Sequence, residues 1–226
     1  RDLGAEVLTY PTIATQEFFD APAWEKFDAI DTLGRWLIFT SENGVRYFFR
    51  RFSKRGVDIR GLSDFKIAVV GSGTARILKE DYNLTADFVP SKMTGKTLAA
   101  ELVDQEDLKG ATVVRVRGNL SYDYVDKAAA EAGAHVIPMT VYETVHPTWP
   151  EGLKEKLSST PPDAVVFTSG SSVDGLYANM TEEEIKRLIA PGLIVSIGPT
   201  TSEVIEAHGL EVGLEAKQHN IPDLLD

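Results

Sequence analysis

The sequence predicts an α/β protein made of two similar units, each a parallel sheet flanked by helices. Three observations predict it. Short β-branched runs alternate with amphipathic stretches along the chain, the pattern of parallel strands joined by crossover helices. Runs such as "KIAVV" (66–70) and "AVVF" (164–167) are apolar on both faces, as strands covered by helices on both sides are. The chain also repeats itself. Phe39-Thr40-Ser41 returns as Phe167-Thr168-Ser169, Gly71-Ser72-Gly73-Thr74-Ala75 aligns with Gly198-Pro199-Thr200-Thr201-Ser202, and Gly4-Ala5-Glu6-Val7 aligns with Gly133-Ala134-His135-Val136, at offsets of 128, 127 and 129 residues. Landmarks that keep their order and spacing read as two copies of one α/β unit.

In chain order, residues 1–6 ("RDLGAE") read as the end of a helix, and 6–13 ("EVLTYPTI") as a long strand followed by a Pro-containing linker, "TIATQEFFDAPAW". Strands follow at 36–41, 66–71, 87–90 and 112–118, separated by helical patterns at 43–54, 73–81 and 96–105. The helix 122–133 leads into a second long strand, 135–145, and a second linker, "HPTWPEG". Strands 164–169, 193–198 and 211–216 then alternate with helices 171–179, 182–190 and 200–208. Strand 112–118 has no counterpart in the first copy and the chain begins without Met, so the expectation is that some N-terminal sequence is missing. Long strands followed by loose linkers are suited to connect domains.

Composition narrows the function. With 226 residues, 43% apolar and 25% charged, the chain can bury a core of useful size. It has no cysteine, which excludes disulfides and thiol chemistry. No apolar run approaches the ~18 residues of a membrane helix, and no secretory signal is visible, so a cytoplasmic protein with no membrane partner is expected. The net charge of −11 argues against a nucleic-acid partner. It does not exclude an anionic small ligand, because backbone N–H groups at helix N-termini bind anions.

Two motifs are decoys. Gly95-Lys96-Thr97 ends like a phosphate loop, but Pro90 stands where the loop's first glycine belongs. "VVGSGTAR" begins like a dinucleotide fingerprint, but Arg76 takes the third glycine position and "FVPSKM" offers no acidic residue further on. The histidines, His135, His146, His208 and His219, lack metal-ligand spacing.

What remains is a set of strand-end turns: Thr40-Ser41, Ser72-Gly73-Thr74, Thr168-Ser169-Gly170-Ser171 and Pro199-Thr200-Thr201 after Gly198. Each residue alone is adequately explained as a helix N-cap. Ligands of parallel α/β sheets, however, bind outside the carboxyl ends of strands. If the copies face each other, the turns line one cleft able to hold a polycarboxylate. Tyr142, closing the long strand 135–145, is either a half-buried strand aromatic or a neutral phenol facing that cleft, able to donate a proton.

Taken together, "GAEVLTYPTI", "DTLGRWLIFTSENGVRYF", "IAVVGSGTA", "VVRVRGN", "AGAHVIPMTVYET", "DAVVFTSGSSV" and "IGPTTSEVIEAHG" resemble the uroporphyrinogen-III synthases, in that family's order and over nearly the whole chain. The resemblance implies two domains, 1–13 with 146–226 and 17–142, joined by a flexible two-strand hinge linker. It implies a monomer that binds a small-molecule tetrapyrrole, needs no cofactor, and converts hydroxymethylbilane to uroporphyrinogen III. Water is lost, the macrocycle closes and ring D is inverted through an azafulvene and a spiro intermediate. By the same resemblance Tyr142 matches a tyrosine assisting the leaving hydroxyl. Thr74 and Thr201 match the threonines of paired Gly-x-x-Thr turns, Ser41 and Ser169 match cleft serines, and Arg117 is a carboxylate contact. Ser72, Gly73, Gly198 and Thr200 complete the substrate-binding set. The chain departs from the pattern at its first strand, which lacks Thr-Arg-Pro, and at Tyr122, where many members carry a second arginine. An alternative from a different class is a non-catalytic, hinged two-lobe binding module for a small anion.

Overall fold

The computed structural model describes residues 4–190 and 192–217; of the helix end read at 1–6, residues 1–3 lie outside them, as does His219, and residues 4–6 are not helical. The chain divides into two compact units, one formed by Thr15–Thr144, the other by Arg1–Ala14 with Val145–Asp226.

The Thr15–Thr144 unit runs β1 (Ala14–Glu17), α1 (Ala21–Asp28), β2 (Arg35–Phe39), α2 (Glu42–Lys54), β3 (Lys66–Val69), α3 (Ser72–Tyr82), α4 (Gly95–Gln105), β4 (Thr112–Gly118), α5 (Tyr124–Glu131) and β5 (His135–Val145). Its sheet has the order β1-β5-β4-β2-β3. Strand β2 pairs in parallel with β3 and β4, and β4 in parallel with β5. Alternation along each strand splits the core into two layers. Leu37 and Phe39 join Trp24, Phe48, Phe49 and Ile77 from α1, α2 and α3. Trp36 and Ile38 join Leu98, Leu102, Val125 and Ala129 from α4 and α5.

Helix α2 shows how sequence makes this layer. Ser41 caps it, and Val45, Phe48, Phe49 and Phe52 recur at helical spacing on the buried face. Phe48 is the hub: it is fully buried, and its ring meets those of Trp24, Phe27, Phe39, Phe49 and Phe52.

The other unit carries α6 (Leu153–Ser159), β6 (Ala164–Phe167), α7 (Gly170–Tyr177), α8 (Glu182–Ile189), β7 (Leu193–Ser196), α9 (Pro199–Ala207) and β8 (Leu214–Glu215). The sheet β6-β7-β8 is parallel. Leu157, Val173, Ile185 and Ile205, one from each helix, pack with Phe167 and Ile194. Among the described residues Val166, Leu193 and Leu214 remain exposed. The double coverage expected of "AVVF" is therefore realised on one face only.

Other expectations need correction. Residues 6–13 form no strand, and β1 begins at Ala14 instead. Pro11 removes a donor, and Val7, Leu8 and Ile13 are exposed, so burial does not drive pairing there. The first linker contains a helix, α1, begun by an Asp20 cap with Pro22 in its first turn and held down by buried Trp24. The second linker runs directly into α6 after Gly152, which takes φ 82°. Residues 87–90 contribute only a bridge from Phe88 to Ala68, ahead of Pro90.

Replacing Phe48 by Ala should lower the unfolding free energy by about 3–5 kcal/mol. Urea denaturation followed by tryptophan fluorescence checks this, since Trp24 stacks on Phe48.

Candidate active site

The four predicted turns form two matched pairs. Ser41 caps α2 with φ −162° and ψ 156° and accepts from the Gly44 N–H at 3.0 Å. Ser169 caps α7 with φ −166° and ψ 154° and accepts from the Ser172 N–H at 3.3 Å. Gly71 precedes α3 with φ 175° and ψ −178°, and Gly198 precedes α9 with φ 166° and ψ 175°; neither helix start has a side-chain cap. Equivalent sequence has produced nearly equivalent backbone in each unit.

The two kinds of turn differ in what they offer. A serine cap satisfies one first-turn N–H with its own oxygen. A glycine start leaves those donors without a side-chain acceptor, at the positive end of the helix dipole. In α9 part of that capacity is used internally, because the Thr201 and Ser202 N–H groups donate to Gly198 O. Gly71 is fixed by sterics, since a Cβ there would lie 2.5 Å from Met93 Cγ.

Not every predicted residue presents its side chain. Thr74 and Thr201 are 4% and 5% exposed, so little of either residue is presented. Ser72 is exposed and donates to Met93 Sδ at 3.4 Å. Gly73 lies against α2, where a Cβ would stand 2.8 Å from Glu42 Oε1. Thr200 is exposed and Gly198 buried.

Tyr142 belongs to a built constellation within the Thr15–Thr144 unit. Its hydroxyl lies 3.2 Å from Ser41 Oγ, although 101 residues separate the two. Its ring stacks on Tyr47, centroids 5.5 Å apart and planes 20° apart. The Tyr47 hydroxyl is tied back to Thr15 O at 2.8 Å. On the other side the ring covers Gly118. A register shift between Arg117 and Gly118 sets that glycine opposite Tyr142, and a Cβ there would come within 2.5 Å of the ring. The phenol is therefore held by stacking, by a gap that only glycine leaves, and by one hydrogen bond. Ser41 Oγ already accepts the Gly44 N–H, so its proton can go to the Tyr142 oxygen. The phenol's own proton is then free for another acceptor.

Arg117 is half-buried on β4, 3.4 Å from Thr140 Oγ1 and 3.6 Å from Asp126 Oδ2. Asp126 is already engaged by Arg115 through Nε and through Nη2 at 2.6 Å. Arg117 thus shares a neutralised carboxylate and keeps donors available. Among the described residues no group of three or more His, Asp or Glu is placed to hold a metal ion. No helix among them is long and apolar enough to cross a membrane.

Sequence reasoning missed Gly118, Tyr47 and Arg115. A glycine closing an apolar strand is a signal of close approach, and an arginine inside "TVVRVRG" is a signal of a buried charge with a partner. Nothing in the helical pattern of 43–54 singles out Tyr47.

Ser41→Ala should cost about 1 kcal/mol in unfolding free energy and Ser41→Gly only a few tenths, read from denaturant midpoints. Gly118→Ala should displace the Tyr142 ring, and a crystal structure of the variant would show the Ser41–Tyr142 hydrogen bond lost.

The family model described as uroporphyrinogen-III synthase HemD matches residues 1–226. A uroporphyrinogen-III synthase from Chlorobaculum parvum is 27% identical over 226 residues, covering 99% of this chain and 85% of that protein. A porphyrin biosynthesis protein HemD from Ruminiclostridium josui is 28% identical over 230 residues, covering 100% of this chain; the match spans 44% of that longer relative. Among solved structures, uroporphyrinogen-III synthetase from Helicobacter pylori superposes with a TM-score of 0.67 at 18% identity, over 94% of this chain and 87% of that one. A mutant uroporphyrinogen III synthase from Thermus thermophilus gives 0.60 at 22%, over 99% and 88%. At these identities the structures establish a shared α/β fold.

Proposed function

This chain belongs to the uroporphyrinogen-III synthase family, and from that premise we propose that it cyclises hydroxymethylbilane to uroporphyrinogen III, with Tyr142 as the acid that helps the hydroxyl leave. It is a cyclising lyase of porphyrin biosynthesis. The observation that carries the role of Tyr142 is its contact with Ser41 Oγ at 3.2 Å.

The chemistry asks for two things. The hydroxymethyl oxygen has to depart as water, leaving an electrophilic azafulvene. The linear chain must also be held so that the ring D pyrrole attacks through its substituted carbon. Positioning is the larger contribution, since an oriented intramolecular reaction can gain ~7–11 kcal/mol, whereas a general acid adds ~10²–10⁴-fold. Tyr142 suits the departure of the hydroxyl. A phenol carries no charge at pH 7, this one is fixed by Tyr47 and Gly118, and it has a proton left over once Ser41 donates to it. When that proton moves to the leaving hydroxyl, the Ser41 O–H bonds the phenolate that forms.

The carboxylate-rich substrate needs donors that an acidic protein does not supply by bulk charge. We assign this role to the glycine-started turns, Ser72-Gly73-Thr74 in one unit and Gly198 with Thr200 and Thr201 in the other, together with Arg117. At Thr74, which is 4% exposed, the backbone N–H is the contact. Ser169 takes in its own unit the capping position that Ser41 takes in the first. The reading includes two α/β domains, 1–13 with 146–226 and 17–142, linked by a two-strand hinge. It also includes a cytoplasmic monomer without a cofactor.

Purified protein with hydroxymethylbilane should yield the type III isomer; type I alone, the spontaneous product, would overturn the assignment. Tyr142→Phe keeps the stacked ring and removes the proton, so kcat should fall about 10²-fold with KM nearly unchanged. An unchanged kcat would remove Tyr142 from the chemistry.

A further inference from the structure

At the carboxyl ends of β2 and β4 the Thr15–Thr144 unit holds a recess of about 190 Å³, lined by Thr40, Arg115, Ser121, Tyr122, Tyr124 and others. The constellation around Tyr142 does not use it. Its wall contains a charged side chain that is 1% exposed, Arg115. Two of that guanidinium's nitrogens, Nε and Nη2, are bound by Asp126. The third, Nη1, has no partner among the described residues. It is also absent from the sealed and unpaired side-chain atoms, which are Trp24 Nε1, Arg51 Nε and Arg55 Nη1. Arg115 Nη1 is therefore neither hydrogen-bonded among the described residues nor fully sealed, and Arg115 is one of the residues that line the recess.

The surroundings point to the ligand. Arg117 shares Asp126 at 3.6 Å. Lys96 sits 5.1 Å above the Tyr124 ring and has no carboxylate within ion-pair distance among the described residues. Around the recess Arg115, Arg117 and Lys96 thus stand against Asp126, while a second carboxylate, Asp123 between Tyr122 and Tyr124, is held by Lys127 at 3.1 Å, so cations outnumber carboxylates locally in a chain whose net charge is −11. Beside them Tyr122 stacks on Tyr124 at 5.5 Å while remaining 67% exposed, which leaves one aromatic face open to solvent. A buried guanidinium suits a carboxylate, and an open tyrosine face suits a flat ring.

We propose that this recess is a subsite for one pyrrole of the tetrapyrrole: the ring lies on Tyr122 and its acid side chain enters to meet Arg115 Nη1. The assignment rests on the synthase reading above. Asp126 is then a positioning residue, holding Arg115 so that its free nitrogen faces the opening.

The test compares three proteins by steady-state kinetics on hydroxymethylbilane and by isomer analysis. Tyr122→Ala changes an exposed residue and should raise KM about 5-fold, the loss of one stacked ring, with kcat retained. The paired substitution Arg115→Met with Asp126→Asn removes both members of the buried ion pair, which avoids an uncompensated charge. It should raise KM about 30-fold, the loss of a charge-assisted hydrogen bond, with the circular dichroism spectrum and melting temperature retained. Wild-type KM and isomer ratio in both variants, alongside type III product from the unmodified protein, would overturn the subsite and leave the synthase reading intact. Type I product alone from the unmodified protein would overturn both.

Discussion

A parallel array of four strands, β5-β4-β2-β3, buried on both faces, governs the chemistry-bearing edge of the Thr15–Thr144 unit. Parallel neighbours cannot be joined by hairpins, so each strand leaves through a crossover that packs on one face. Strands β2, β3, β4 and β5 then all end at the same edge, and after β2, β3 and β4 the next helix starts there. Ser41, Ser72, Arg117, Tyr122 and Tyr142 come from four such exits, yet share one rim of the sheet β1-β5-β4-β2-β3. The rim collects helix N-termini, whose free N–H groups are electropositive whatever the side chains are. An acidic chain can in this way present donors to a polyanion.

Within that rim, the choice between serine and glycine at a helix start divides labour. Ser41 keeps its helix capped and shares a hydrogen bond with the Tyr142 hydroxyl. Gly71 leaves its helix uncapped and keeps the donors. Gly118 completes the arrangement by absence, since any side chain there would evict the phenol. The tyrosine is held by Tyr47, Gly118 and Ser41, and under the proposed role of Tyr142 little reorganisation is needed when charge develops on its oxygen.

Much of this was legible in the sequence because it follows from local rules. The repeat, the strand β5 at 135–145 and the serine caps each leave a short-range signature, and the matched φ and ψ values of Ser41 and Ser169 carry the repeat down to single residues. The errors lie where tertiary packing decides. The run 6–13 has strand composition, but no burial secures it. Helix α1 hides in apparently loose sequence because Trp24 and Phe27 anchor it against Phe48. Within the site, Tyr142 could be found by its place at the end of a long strand. Tyr47 could not, because its role is defined by a ring stacked on it from 95 positions further along the chain.

Arg115 shows why net charge is a poor guide to a local site. An unpaired guanidinium on a central strand is too costly to bury, so Asp126 is needed for the arginine to be there at all. That pairing cancels one charge but fixes the plane of the guanidinium through Nε and Nη2. Fixing the plane also fixes the direction of Nη1. Arg117, two residues on and on the same face of β4, then meets a carboxylate already satisfied and contributes its charge with little offset. The acidic residue therefore orients one cation and leaves the second uncompensated, and a chain that is strongly negative overall gains a small positive edge where an anion has reason to bind.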